Sequence, residues 1–267
     1  MDNLALYYLG KVVYDYCGLN YLNNISSLKM KVSKRLRQLN IESYWSYIRY
    51  LQEHPSEWDQ LIVLLTINET YFFREDKQLY IYQQKILPQF ASEVQQPIKI
   101  WSAGCSTGEE AYSLAMMTMD LDHYKPKKVH IIGSDINKKV LSIAKEGIYS
   151  KSSLAFRRIP PYWLQKYFDE MENNYRIKDE VKKMVSFQYV NLLEEVENGR
   201  NEEFDVIFCR NVLIYFDEET IEKVVKSFYR ALKKGGYLFL GHAETISNLK
   251  IGFETLNENG TFYYRKG

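Results

Sequence analysis

The stretch Trp101-Ser-Ala-Gly-Cys-Ser-Thr-Gly-Glu-Glu110 holds the densest run of residues suited to chemistry. An apolar run through Ile100 and Trp101 breaks at Ser102 into a turn with Gly104 and Gly108. Glu109 and Glu110 then open a helical pattern through Tyr112, Leu114, Ala115, Met116 and Met119. Glycine lets the backbone turn sharply and lets a ligand approach it closely, and a helix start offers unpaired N–H groups. A phosphate loop would need Gly-Lys-Ser/Thr after the turn. Two carboxylates repel phosphate, whereas acids suit a helix N-terminus.

An adenosine carrying a cationic centre and an amino group tolerates such acids, which points toward S-adenosylmethionine. Further polar groups fall at the ends of apolar runs: Asp135 after 129–134, Asn191 after 185–190, and Arg210 with Asn211 after 204–209. In open α/β sheets ligands sit beyond the carboxyl ends of the strands, and an acid ending the second strand holds ribose hydroxyls. Upstream, Asn68, Thr70 and Arg74 are interleaved with Tyr71, Phe72 and Phe73, polar groups beside aromatics that can anchor a domain junction. His130 lies inside the 129–135 run and reads as a core or edge histidine.

The elements that must position these groups follow from periodicity. Residues 1–80 read as helical, with one proline, Pro55. Tyr7, Leu9, Val12, Val13 and Tyr16 line a first helix ended by Gly18. Ser26 is the expected N-cap of a second, with Leu28, Val32, Leu36 and Leu39 on one side. Lys31, Lys34, Arg35 and Arg37 fall on the other side, with no acid from Lys29 to Asn40. A single-sign face suits an acidic partner, or plain solvation. Tyr44, Tyr47, Ile48 and Leu51 suggest a third helix, and Trp58, Leu61, Ile62 and Leu65 a fourth. Residues 78–90 form a linking helix with Leu79, Tyr82, Ile86 and Leu87 inward. From Ile98 strands alternate with helices: strands at 129–135, 185–191, 204–211 and 237–244, and helices at 137–145 and 218–233, the latter closed by Gly235-Gly236. Asn257-Glu-Asn-Gly260 signals a terminal hairpin.

The 267 residues allow one large or two modest domains. Hydrophobic residues at 46% and charged residues at 26% are ordinary for a globular protein, and the net charge of +1 gives no reason to expect nucleic acid or a membrane surface. Cys17, Cys105 and Cys209 form no C-x-x-C pair, against zinc or a disulfide framework. No apolar run approaches the roughly 18 residues of a membrane span. The reading is a cytoplasmic monomer without metal.

Five motifs then converge. Asn68-Glu-Thr-Tyr-Phe-Phe-Arg74, Trp101 to Glu110, Ser134-Asp-Ile-Asn137, Cys209-Arg-Asn-Val-Leu-Ile-Tyr-Phe216 and Gly241-His-Ala-Glu244 resemble, in order and over nearly the whole chain, the CheR-type chemotaxis receptor methyltransferases. Ala111 stands where that family usually has proline, a first-turn position that alanine also fits. The resemblance implies an α/β fold: an N-terminal all-helical, receptor-docking domain (1–80), a linker helix (81–97) and a class I S-adenosylmethionine-dependent methyltransferase domain (98–267). The sheet of that domain is Rossmann-like, mostly parallel and seven-stranded, with a C-terminal antiparallel hairpin and a small β-type insertion at about 169–186. It implies methyl transfer to the γ-carboxylate of glutamates on the cytoplasmic helical region of chemoreceptors, giving methyl esters and S-adenosylhomocysteine.

Carried over by motif, Asn68, Thr70, Arg74, Ala103, Glu109, Asp135, Asn191, Leu192, Arg210 and Asn211 hold the cofactor. Arg74 and Tyr215 serve catalysis, and Lys31, Lys34, Arg35 and Arg37 dock the acidic receptor helix. In some members the insertion tethers a receptor-tail peptide; here it looks short and lacks glycine, so weak or no tethering is expected. A carboxylate with a reference pKa near 4.3 is already an anion, so no general base is needed and no Ser-His-Asp set appears. The alternatives are the same fold acting on another protein or small molecule, and a cofactor-binding signalling module without turnover. A DNA amino-methyltransferase would need an Asn/Asp-Pro-Pro-Tyr/Phe motif, and Asn211-Val-Leu-Ile-Tyr215 lacks the prolines.

Overall fold

A computed structural model describes residues 2–93, 97–121 and 129–267. Four helices open the chain: α1 (Asp2–Cys17), α2 (Ile25–Gln38), α3 (Tyr44–Glu53) and α4 (Glu57–Leu65). Their inward stripes, among them Leu9, Val13, Leu28, Val32, Tyr47, Ile48, Leu61 and Leu65, close one hydrophobic core. Gly18, at φ +75°, ends α1 as expected. The cap of α2 is not Ser26 but Asn24, whose side-chain oxygen accepts the Ser27 N–H at 3.2 Å. A short 3-10 turn, Leu22–Asn24, brings it there, and asparagine is as good a cap as serine.

The helical domain's own core stops at Leu65. Phe72 and the expected linking helix belong to the next body. That helix starts earlier than expected, at Asp76, passes through a π turn (Tyr82–Ile86) and continues to Glu93. Leu79, Tyr82, Ile86 and Leu87 share a core with the sheet residues Ile100, Phe208 and Phe239. The helix is thus a covering layer of the α/β domain rather than a linker, and residues 94–96 of the expected linker lie outside the described residues.

The strands are β1 (Ile98–Ala103), β2 (Val129–Asp135), β3 (Ile148–Ser150), β4 (Phe168–Glu170), β5 (Asn174–Ile177), β6 (Val185–Tyr189), β7 (Phe204–Cys209), β8 (Leu232–Leu240), β9 (Phe253–Glu258) and β10 (Thr261–Lys266). Seven form one sheet in the order β6-β2-β1-β7-β8-β10-β9. β10 runs antiparallel to both neighbours, while β6, β2, β1, β7 and β8 are parallel. The expected mostly parallel seven-stranded sheet with its terminal hairpin is present. Side chains alternate between two cores: Ile100, Phe208 and Phe239 on one face, Trp101, Ile207 and Leu238 on the other. The chain leaves β1 first toward β2 and later returns to β7 on its other side, so a crevice opens at the carboxyl end of β1.

Two expectations need correction. Gly235-Gly236 does not cap the preceding helix, which ends at Ala231 and passes directly into β8. The glycines lie in the irregular start of β8, where the pairing with β7 slips between Phe204 and Val206. Gly235 is at φ +78°, and a Cβ on Gly236 would come within 3.0 Å of the Asp205 carbonyl, so the bulge uses their freedom. The insertion is also larger than 169–186. β3, from upstream, joins β5 and β4 in a complete three-stranded antiparallel sheet. Residues 185–189 are not part of it; as β6 they form the edge of the main sheet.

Candidate active site

Gly104, Asp135, Asn191, Arg210 and Asn211, from three strand ends and the turn after β1, converge on one cavity of about 500 Å³ between the sheet and the helical domain. The turn after β1 forms its floor. Gly104 is at φ +75°, and a Cβ there would strike Val212 at 2.4 Å, so only glycine lets the β1 and β7 loops meet. Asp135, at the end of β2 and 8% exposed, accepts the Ser106 N–H and the Asn137 N–H, each at 2.9 Å. Burial pushes its carboxyl up, against those two N–H groups. Strand β6 stops at Tyr189 rather than Asn191. Asn191 caps the helix Leu192–Asn198, taking the Leu193 N–H at 3.1 Å and donating to the Tyr16 carbonyl of α1 at 2.7 Å.

Arg210 and Asn211 follow β7. Arg210 is buried and reaches across the floor to Glu110 at 2.6 Å and to the Arg74 carbonyl at 2.8 Å. Asn211 takes a left-handed conformation, φ +61°, pinned by Glu244. The Glu244 carboxylate accepts N–H groups of Asn211 (2.9 Å), Gly241 (2.6 Å) and Ile214 (3.3 Å). Burial raises its pKa, and the N–H groups oppose the rise. The Gly241-His-Ala-Glu244 motif therefore shapes the loop that carries Asn211 and Tyr215 rather than meeting a ligand directly.

The Asn68–Arg74 stretch closes the cavity from the helical side. Ser106 donates to the Asn68 carbonyl at 3.0 Å, and Asn68 and Asn137 both donate to the Thr66 hydroxyl, at 3.1 and 2.9 Å. Phe72 is the anchor: its ring packs against Tyr149, Phe156 and Phe168 of the inserted subdomain at 5.1–5.4 Å. Arg74 sits between two left-handed residues, Phe73 (φ 59°) and Glu75 (φ 54°). Its guanidinium donates to the Glu69 carbonyl at 2.9 Å and lies 5.7 Å from the Tyr71 ring centroid. Half-buried Tyr215 lines the cavity with it. Burial raises its phenol pKa while the Arg74 charge opposes the rise, so the hydroxyl keeps its proton at neutral pH.

Asn68, Thr70, Arg74, Asp135, Asn191, Leu192, Arg210, Asn211, Tyr215 and Lys31 all line the cavity. Ala103 and Glu109 do not. Ala103 ends β1 with its side chain in a sheet core. Glu109, 3% exposed, turns inward to the Thr107 hydroxyl at 2.6 Å. One residue further on, and rotated by the helix, Glu110 faces the cavity instead. The motif resemblance implies Glu109 as the cofactor contact; the rotation of the helix gives that place to Glu110. The basic face of α2 also splits. Arg35 is engaged with buried Glu57 of α4 at 2.8 and 2.6 Å, and Tyr47 shares that carboxylate at 2.9 Å. Lys31 donates to the Leu64 carbonyl at 3.0 Å. Lys34 and Arg37 remain exposed.

The donor set fits an adenosine-bearing cation better than a phosphate. Acids Asp135 and Glu110 line the turn side, and the turn itself carries no lysine. The buried Asn211 Oδ1 has no partner among the described residues, an acceptor left open for a ligand N–H. Residues 68–262 match the family described as CheR methyltransferase, SAM binding domain, and residues 6–66 match its all-alpha domain. The chain is similar to a chemotaxis protein methyltransferase of Borreliella burgdorferi, 37% identical over 90% of this chain and 87% of that one. It is likewise similar to chemotaxis protein methyltransferase 2 of Vibrio cholerae, 37% identical over 90% and 86%. A Salmonella typhimurium chemotaxis protein methyltransferase is 38% identical over 82% and 75%.

Proposed function

The chain belongs to the CheR methyltransferase family, and from that premise we propose that it esterifies glutamate γ-carboxylates on the cytoplasmic helical region of chemotaxis receptors. The methyl donor is S-adenosylmethionine and the products are a glutamyl methyl ester and S-adenosylhomocysteine. The observation that carries this reading is the convergence of Arg74, Asp135, Asn211 and Tyr215, from three separate segments, on one cavity closed by the helical domain.

In this reading Asp135 holds the ribose, Asn191 and Leu192 flank the adenine, and Asn211 Oδ1 takes an N–H of the donor. Asn68, Thr70 and Arg210 complete the pocket. Bound there, S-adenosylmethionine supplies an electrophilic methyl on a sulfonium. The chain's work is then positional. The Arg74 fork orients a carboxylate, and the Tyr215 hydroxyl, protonated at neutral pH, hydrogen-bonds it. Orientation alone supplies roughly 7–11 kcal/mol of a barrier. The acceptor is already ionised near neutrality, so no proton has to be removed from it. With donor and acceptor bound, the wall made by residues 17–21 and the 65–70 segment encloses the site, and the loss of water strengthens attraction between anion and cation.

Receptor-containing membranes incubated with methyl-labelled S-adenosylmethionine and then treated with base should release volatile methanol. Base-stable label would mean transfer to nitrogen. Tight cofactor binding without label would mean a module that does not turn over.

A further inference from the structure

Two isoleucines stand on the cavity rim with more than half of their surface exposed, Ile67 at 60% and Ile214 at 51%. One comes from the segment leaving the helical domain, the other from the short turn after β7. Both are held outward by ordered neighbours. Beside Ile67, Thr66 donates its N–H and its hydroxyl to the Ile62 carbonyl at 3.0 and 2.9 Å, and the Asn68 carbonyl accepts from Ser106. The Ile214 N–H is tied to Glu244, and Leu213 beside it is buried. A lone exposed aliphatic residue is ordinary. Here two fixed ones occupy the segments that lead into Arg74 and Tyr215, on the edge of the cavity the acceptor must enter.

We propose that Ile67 and Ile214 determine substrate specificity by seating aliphatic side chains that lie one helical turn from the acceptor glutamate. The inference rests on the acceptor being a glutamate of a helical polypeptide, as read above. A glutamate that enters the mouth brings its same-face neighbours, three and four residues away, against the rim. An aliphatic neighbour buries apolar surface there and excludes water from the acceptor carboxylate. A charged neighbour would be desolvated against isoleucine without a partner.

The test uses wild type and the double variant Ile67→Ser/Ile214→Ser on two helical receptor fragments. One fragment carries leucine one turn from its acceptor glutamate, the other aspartate. Wild type should prefer the leucine fragment by about tenfold in kcat/KM. The double variant should lose most of that preference through a higher KM for the leucine fragment, with the KM for S-adenosylmethionine moving less than about twofold. Equal wild-type rates on the two fragments, or an undiminished preference in the double variant, would overturn the proposal. Absence of base-labile ester from wild type on both fragments would remove the glutamate reading, and this one with it.

Discussion

Arg74 owes its position to backbone contacts together with the Tyr71 ring and the Arg210 side chain. It is held by the Glu69 carbonyl and flanked by left-handed Phe73 and Glu75, while its own carbonyl is fixed by Arg210. A non-glycine residue at positive φ persists only where its surroundings over-determine it. Arg74→Lys keeps the charge and loses the planar fork. It should fold with an unchanged thermal midpoint and lose about a hundredfold in kcat/KM, the cost of small misplacement at a reacting centre; full activity would dismiss the assignment. Glu109 offers a different single-residue test. Burial pushes its carboxyl from about 4.5 to about 7, against a hydrogen bond from Thr107. The folded protein therefore holds more protons than the unfolded chain between those values, and stability falls as pH rises through that window. The loss is on the order of 3 kcal/mol. Glu109→Gln, which stays neutral, should gain thermal stability over wild type at pH 8 and lose that advantage near pH 4.5. Parallel melting curves for the two proteins across that range would show that Glu109 does not titrate there.

Among the elements, α2 carries the largest revision. Its four cations share one side of the helix, yet they divide by partner. Arg35 forms a two-point pair with Glu57, which is 4% exposed and also takes the Tyr47 hydroxyl. Arg35→Ala leaves that carboxylate buried without its cation and should cost about 3 kcal/mol of stability. Lys34 and Arg37 face solvent. Lys34→Glu/Arg37→Glu should leave stability intact, slow receptor methylation and flatten its dependence on ionic strength; an unaltered salt profile would reject electrostatic docking by α2. The inserted sheet is revised as well. Its apparent shortness and lack of glycine argued against peptide tethering; β3 completes a three-stranded sheet with two edge strands, which removes the shortness, while glycine stays absent from 148–177. What the insertion does within the chain is visible: Tyr149, Phe156 and Phe168 grip Phe72 and so fix the segment that bears Arg74.

At the scale of the molecule the helical domain is bound to the sheet's ligand side, where it makes one wall of the cavity. Tyr14 meets Thr220 at 3.1 Å, Tyr16 meets Tyr189 at 3.3 Å, the Asn191 side chain reaches the Tyr16 carbonyl, and Lys138 pairs with Asp59 at 2.9 Å. Cys17, Leu19 and Tyr21 line the cavity from this side. In the proposed function this brings the methyl donor and the substrate-facing surface to one junction. Among the described residues no helix is long and apolar enough to cross a membrane.

The sequence alone determined the alternation of strands and helices, the helical N-terminal domain and the polar groups at strand ends. These follow from periodicity and from the rule that ligands bind beyond carboxyl ends, both local or topological properties. Asp135, Asn191, Arg210 and Asn211 were legible for that reason. Only the tertiary structure decided that Glu110, not the expected Glu109, faces the cavity, because that depends on how one helix is rotated against the sheet. It also decided that Arg35 is spent on Glu57, that Phe72 belongs to the sheet's core, and that Glu244 shapes the Asn211 loop. Each of these rests on a contact between residues distant in the chain, and the energy of such a contact is set by packing and burial, which no local pattern encodes.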